Sequence, residues 1–278
     1  MTQEIYDNII QNTAQYLNKN KINTVVLGLS GGIDSTTVAF LCDRIRKTTK
    51  KNLKLIGVSL PSNTNEDKEK EIADLLGWFV CDEYKKKPIQ EIYESYLHLM
   101  TDNNQTPLAN GNIKARLRMI YLYNLAGINH GLVLSTGNKT EDLLGFFTVH
   151  GDEGDLAPIG ELYKTDVYDL AWYILETEQN EDKKKCLLKA IEITPTDGNG
   201  VVDGGDLKQI LPRCENPNYE IVDNVLRKLN ENEHYEYYEA TLNELSEIYG
   251  KDNVEDISTR YLKNEYKRKP RPYNIQIK

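Results

Sequence analysis

The sequence predicts an α/β protein, a doubly wound parallel sheet with helices on both faces. Two observations carry this. Short apolar runs alternate with helix-periodic segments over residues 1–177, the pattern of a parallel sheet covered on both sides. Three polar stretches, residues 30–35, 61–65 and 136–141, each follow the end of such a run, where ligands lie on open parallel sheets.

Residues 3–18 carry Ile5, Ile9, Ile10, Ala14 and Leu17 at helical spacing and predict a leading amphipathic helix. A strand over 24–29 follows, then a turn and a helix over 35–47. Leu53 to Leu60 reads as a second, buried strand stopped by Pro61, with a charged helix over 66–76. Trp78-Phe79-Val80-Cys81 reads as a third strand, and a helix over 87–100 has Pro88 in its first turn. Thr101 to Gly111 is polar and reads as a loop, after which Asn112 caps a helix through Ala126. Leu132 to Ser135 is the fourth strand. Gly145 to Gly160 is too long for an ordinary connection, so it is functional or mobile. A helix over 165–177, a charged solvated run from Glu178 to Lys185 and an irregular stretch from Pro195 to Pro217 follow. Three helices over 218–265 and a basic, Pro-broken tail from Tyr266 complete the chain. Without an internal repeat or a low-complexity linker, one domain is expected, its sheet over 22–177 and a helical part over 178–278.

The stretch richest in chemistry is Val25-Val26-Leu27-Gly28-Leu29-Ser30-Gly31-Gly32-Ile33-Asp34-Ser35. A strand, a glycine turn and a helix N-terminus make an anion site, because bare N–H groups and the helix dipole both favour negative charge. Ser30 and Ser35 add hydroxyl donors. Asp34 would repel a bare phosphate, and makes sense if a divalent cation such as Mg²⁺ lies between them. No lysine follows Gly31 or Gly32, so this is not the common nucleotide loop, and the G-x-G-x-x-G spacing is missing too. A turn that only caps a helix is the alternative.

Net charge of -9 weighs against an extended tRNA or DNA footprint. No run approaches the ~20 apolar residues of a membrane helix, and Met1 to Ile10 lacks the pattern of a signal peptide. A cytoplasmic protein without nucleic-acid or membrane partners is therefore expected. Cys42, Cys81, Cys186 and Cys214 share no C-x-x-C spacing and the four histidines are scattered, so no structural zinc site is expected.

Further candidates lie downstream. Arg116 and Arg118 project about 200° apart on a helix, so each can face a different ligand or a partner subunit, unless both are solvated. Thr136 suits an adenine or phosphate contact, and Glu141 could share a metal with Asp34, although Asn138 and Glu141 also fit a helix-capping pair. Asp152, Glu153 and Asp155 could orient ammonium or a metal, or form a solvated acidic loop. Lys164 could neutralise phosphate or decorate the surface.

The Ser-Gly-Gly-Ile-Asp-Ser segment resembles the pyrophosphate loop of the ATP pyrophosphatase superfamily. The later segments together resemble the NAD synthetases. Asn112-Ile113-Lys114-Ala115-Arg116-Leu117-Arg118-Met119 is similar to that family's N-x-x-A-R-x-R-M helix. Ser135 to Glu141 resembles G-T-x-N-x-x-E, and Gly145-Phe146-Phe147-Thr148 resembles G-F-F-T. Gly151 to Leu156 resembles G-D-G-G-A-D-L, and Pro158 to Lys164 resembles P-L-x-x-L-x-K. Pro195-Thr196-Asp197-Gly198 resembles the P-T-x-x segment, and Tyr261 to Arg268 the tail ending in H-K-R. Three departures stand out: the Gly151–Leu156 loop is one residue short with Glu153 in place of glycine, Val149 replaces lysine, and Tyr266 replaces the tail histidine.

The resemblance implies a Rossmann-like, adenine nucleotide alpha-hydrolase-like fold and ATP-dependent amidation of deamido-NAD by ammonia through an acyl-adenylate. It implies that Ser30, Gly31, Gly32, Asp34, Ser35, Arg116, Thr136, Lys164 and Thr196 contact ATP, with Mg²⁺ on Asp34 and Glu141. Arg118, Phe146, Asp152, Asp155 and Lys267 would hold deamido-NAD, partly across a homodimer interface, with Asp152 near the ammonia site. Asp34, Lys164 and Asp152 would carry the chemistry. No glutaminase domain precedes residue 1, so ammonia, free or from a separate protein, is the expected donor. Another pyrophosphatase acting on a different substrate, and a non-catalytic nucleotide-binding relative, are the alternatives.

Overall fold

The computed structural model describes residues 3–50, 52–99, 105–196, 205–231 and 235–269. Four parallel strands, β1 (Thr24–Gly28), β2 (Lys54–Ser59), β3 (Glu83–Lys86) and β4 (Leu132–Leu134), form a sheet in the order β3-β2-β1-β4. The helices are α1 (Gln3–Lys19), α2 (Ile33–Thr48), α3 (Asp67–Phe79), α4 (Gln90–Leu99), α5 (Pro107–Ile128), α6 (Lys139–Leu144) and α7 (Lys164–Thr177). They continue with α8 (Glu181–Glu192), α9 (Asp206–Ile210), α10 (Tyr219–Glu231), α11 (Tyr235–Tyr249) and α12 (Lys251–Lys263), before a 3-10 turn (Glu265–Arg268).

Both sheet faces are buried, which is why the central strands are nearly continuous apolar runs. Val25, Leu27 and Leu55 pack with Ile10, Leu41, Leu170 and Leu187 of α1, α2, α7 and α8. Val26, Ile56 and Val133 face the other way, onto Met119, Leu122 and Leu125 of α5. A third cluster joins α6 to α10 and α12 through Leu143, Leu144, Val222, Leu226 and Ile257. The fold is thus the expected doubly wound, Rossmann-like α/β class. β1 pairs with β2 on one side and with β4 on the other, so the winding direction reverses between β1 and β4. A ligand crevice opens at such a switch point, beyond the C-terminal strand ends.

Three expectations are corrected. Trp78 and Phe79 end α3, and the third strand is the polar segment Glu83–Lys86. Among the described residues that strand pairs with β2 alone, so as an edge strand it has no need of an apolar run. α5 starts at Pro107, five residues before Asn112, because the Thr106 side chain accepts the Ala109 N–H and Pro107 fits a first helical turn. The charged run from Glu178 is not wholly solvated, since α8 begins within it and Lys183 is buried.

Lys183 Nζ donates to Asp43 Oδ2 over 2.6 Å, and Lys47 and Arg46 reach the same carboxylate at 2.7 and 2.5 Å. Burial pushes the Asp43 carboxyl up, but the bonds from Lys183 and Lys47 outweigh it and hold the group below its ordinary value. A depressed folded-state value stabilises the fold above the unfolded value, near about 3.9. That stability disappears as pH falls through the lower folded value. Asp43→Asn should therefore be less stable than wild type at pH 6, with the gap closing below about pH 4. Urea titrations at several pH values measure this, and a pH-independent gap would contradict it.

Candidate active site

β1 runs into the glycine turn at the switch point. Gly31 has φ of +88°, and a Cβ there would lie 2.1 Å from the Glu69 carbonyl oxygen of α3, so only glycine fits. The Ser30 and Ser35 hydroxyls lie 3.0 Å apart, and the Gly32 N–H donates to Ser30 Oγ at 3.1 Å. An oxyanion would compete with Ser30 for that N–H. The Ser35 and Thr36 hydroxyls donate back to the Gly32 carbonyl at 3.1 and 2.8 Å, fixing the entry into α2. No side chain caps α2 at Gly32, and Gly32, Ile33, Asp34 and Ser35 all line a cavity of about 600 Å³. The first turn therefore presents its N–H groups and positive dipole end to that space.

Lys164 brings the acids together. Its side chain is 2% exposed, and its ammonium donates to Asp34 Oδ2 and lies 3.4 Å from Glu141 Oε1. Asn138, buried after β4, donates to Asp34 Oδ1 at 2.9 Å while its own oxygen accepts the Glu141 N–H at 3.0 Å. The capping pair and the contact to Asp34 are thus one arrangement; sequence spacing suggested only the first. Burial by itself would lower the Lys164 pKa, but Asp34 and Glu141 outweigh it and hold it well above the ordinary lysine value. Burial pushes the Glu141 carboxyl up, against the pull of Lys164 and with a further push from Asp34. Two carboxylates that share one ammonium are within reach of a single cation. Hard oxygen donors of this kind, with phosphates and water completing the set, suit Mg²⁺.

Thr136 and Thr196 line the same cavity. So do Glu69 and Asp206, which sequence reasoning did not single out. Glu69 accepts from the Thr196 hydroxyl, and the Asp206 N–H donates to the Pro195 carbonyl at 3.1 Å, pinning α9 beside Thr196. Asp197 and Gly198 lie outside the described residues. A second cavity of about 770 Å³ opens between the Gly145–Thr148 turn and α12, and shares Phe146, Phe147 and Asp152 with the first. Lys267 donates to the Gly145 and Phe147 carbonyls at 2.7 and 2.6 Å, which braces that turn. Asp152 opens onto both cavities and accepts the Thr148 N–H at 2.6 Å. The surrounding protein displaces water and raises its carboxyl, against the Thr148 bond and the charges of Arg118 and Lys267. Asp155 accepts from Val133 N at 2.8 Å and from the Tyr123 hydroxyl at 3.2 Å, anchoring the acidic loop to β4.

The two arginines part as their spacing requires. Arg118 reaches the strand ends, donating to the Leu60 carbonyl at 3.0 Å and to Asn65 Oδ1 at 3.2 Å. Arg116 does not line the first cavity. It is exposed and donates to the Val149 carbonyl at 3.3 Å, beside Tyr123, His150 and Lys267. The phase of α5 is set by Met119 and Leu122 on the sheet, and this turns Arg116 outward. No helix among the described residues is long and apolar enough to cross a membrane.

Known proteins are similar to this chain. The glutamine-dependent NAD(+) synthetase of Aquifex aeolicus is 33% identical over 286 residues, 99% of this chain and 46% of that protein. The chain thus spans about half the length of that relative. The NH(3)-dependent NAD(+) synthetase of Thermoplasma acidophilum is 38% identical over 162 residues, 58% of this chain and 64% of that protein. Among solved structures, the NH3-dependent NAD synthetase of Campylobacter jejuni, in complex with the nitrate ion, superposes with a TM-score of 0.72 at 27% identity, covering 99% of this chain and 100% of that one. The family model described as NAD synthase matches residues 5–271, a span that takes in the loop, both acids, the lysine and the C-terminal helices. The chain belongs to the NAD synthase family.

Proposed function

We propose that this chain amidates deamido-NAD (nicotinate adenine dinucleotide) with ammonia at the cost of ATP, giving NAD, AMP and pyrophosphate. The observation that carries the reading is the Lys164 ammonium held between Asp34 and Glu141 at the open N-terminus of α2. A carboxylate acylates poorly because oxide must leave, and adenylation substitutes AMP as leaving group. The nicotinate carboxylate attacks the α-phosphate in line. Pyrophosphate departs toward the α2 N-terminus, where Ser30, Ser35 and the Gly32 N–H donate and Lys164 supplies charge. Mg²⁺ on Asp34 and Glu141 would supply further charge neutralisation at the phosphates. Ammonia then attacks the acyl-adenylate. Asp152, with its raised carboxyl at the junction of the two cavities, is placed to take the proton released.

We assign Thr136 and Thr196, which line the first cavity, to the ATP side, and Phe146 and Lys267, which line the second, to the dinucleotide side. Asp155, on the first cavity, and Arg118, on a smaller one beside it, are assigned to the dinucleotide as well. Arg116 we assign to the outer surface, where exposed Ile120 and Tyr123 suit contact with a second copy in a homodimer. Mass-spectrometric detection of NAD from nicotinate adenine dinucleotide, ATP, Mg²⁺ and ammonium tests the function. The expected result is NAD with one AMP formed per NAD, and no product when glutamine replaces ammonium. AMP formation with xanthosine monophosphate, aspartate or tRNA, and none with the dinucleotide, would overturn it.

A further inference from the structure

α10 contributes no residue to the cavity, yet one stripe of it grips the elements that do. Tyr219, Asp223 and Arg227 fall at i, i+4 and i+8 and share a face. The Lys164 ammonium lies 5.5 Å from the centroid of the Tyr219 ring. Asp223, 1% exposed, accepts the Thr140 hydroxyl at 2.5 Å through Oδ1 and the Thr165 N–H at 2.8 Å through Oδ2. The Thr140 oxygen in turn accepts the Lys164 N–H at 2.9 Å. Arg227 donates to Asp166 at 2.7 Å and stacks 4.0 Å from the centroid of the Tyr163 ring.

These contacts converge on the start of α7 and on α6. The first N–H groups of α7, which have no partner within the helix, are taken by Thr140 and Asp223 instead. Lys164 occupies the first position of α7, where the positive end of the dipole opposes its own charge. A buried carboxylate at that terminus offsets the conflict. Thr140 is also the residue before Glu141, so one hydrogen-bond chain fixes both the phosphate-site cation and its acid partner. We propose that the Tyr219–Asp223–Arg227 stripe of α10, acting through the Asp223–Thr140 hydrogen bond and through the Tyr219 ring against the Lys164 ammonium, is a positioning device that aims Lys164 and Glu141 at Asp34. The proposal rests on the reading of this site as an ATP-phosphate site.

The test compares Thr140→Val, Thr140→Ser and Tyr219→Leu in ATP–pyrophosphate exchange with nicotinate adenine dinucleotide, alongside the MgATP dissociation constant and the melting temperature. Measured well below its melting point, Thr140→Val should lose about 10–100-fold in kcat, as supporting-residue changes do, while KM for the dinucleotide stays nearly constant. Thr140→Ser keeps the hydroxyl and should recover most of the rate. Tyr219→Leu, which leaves the hydrogen-bond chain intact, should lose about 10-fold and stands in if Thr140→Val does not fold. A lower melting point with unchanged kcat would make the stripe merely structural and overturn the proposal. If wild type binds MgATP but performs no exchange, the functional reading fails. The MgATP constant then decides the positioning: at least tenfold weakening in Thr140→Val upholds it, and no change overturns it. A wild type that neither binds nor exchanges overturns both.

Discussion

Asp34→Ala is expected to reduce ATP–pyrophosphate exchange at least about 10³-fold while the protein stays folded. Asp34 is the point where three separate segments meet: Asn138 from beyond β4, Lys164 from α7, and its own α2 N-terminus. Its carboxylate and that of Glu141 are the two that reach the Lys164 ammonium at the cavity wall, and among the described residues Asp34 is the one carboxylate that the glycine loop contributes there. Removing it leaves Lys164 with Glu141 alone, at 3.4 Å, so the cation loses its closest counter-charge. The fold should tolerate this. The Asp34 side chain is 16% exposed, borders the cavity rather than the core, and alanine is a good residue for the first turn of a helix. Exchange measured with radiolabelled pyrophosphate, next to a thermal melt, separates the two effects. Asp34→Asn retains the acceptor for Asn138 but loses the charge, and should be nearly as inactive. Wild-type exchange in either variant would sink the assignment of this loop to the ATP phosphates.

What could be read from the residues and what could not follows from how local each feature is. The turn at Ser30–Ser35 is legible because strand, glycines and helix start are contiguous, and Gly31 needs its positive φ for a reason internal to the loop and its contact with α3. The doubly wound fold is legible because strands buried on both faces have no polar alternation to obscure them. The position of β3 is hidden for the opposite reason. Glu83–Lys86 is an edge strand whose polar side chains carry no hydrophobic signal, while Trp78 and Phe79 ended an amphipathic helix. The spacing of Arg116 and Arg118 marks a diverging pair, but which one turns inward depends on the phase with which Met119 and Leu122 seat α5 on the sheet. Asn138 illustrates the limit well: its capping of α6 is a spacing of three, whereas its bond to Asp34 spans 104 residues. Asp223 and Thr140 are 83 apart, and nothing in the local pattern of α10 beyond an ordinary amphipathic face announces that link.

Lys164→Met should likewise reduce exchange by about 10³-fold or more, because the departing pyrophosphate loses the cation buried against it. Methionine matches the length and the apolar stem, so packing against Tyr219 and the first turn of α7 is largely kept. Lys164→Arg should not rescue activity: the side chain is 2% exposed, and a planar guanidinium needs more room than an ammonium and points its donors in a fixed fork. The charges left behind decide the stability change. Losing one partner of a buried pair costs about 3–5 kcal/mol when the remaining charge is sealed from water. Here the remaining charges are two carboxylates, 16% and 24% exposed at the cavity wall, which water can reach. The cost should therefore fall below that range. Without the ammonium, Asp34 and Glu141 repel each other and have unshared oxygens, so added Mg²⁺ should raise the melting temperature of Lys164→Met more than that of wild type. Calorimetric melts with and without Mg²⁺ read this independently of catalysis. Equal Mg²⁺ shifts in both proteins would mean that the two carboxylates do not form a shared cation site. Retained exchange would mean that Lys164 only balances their charge.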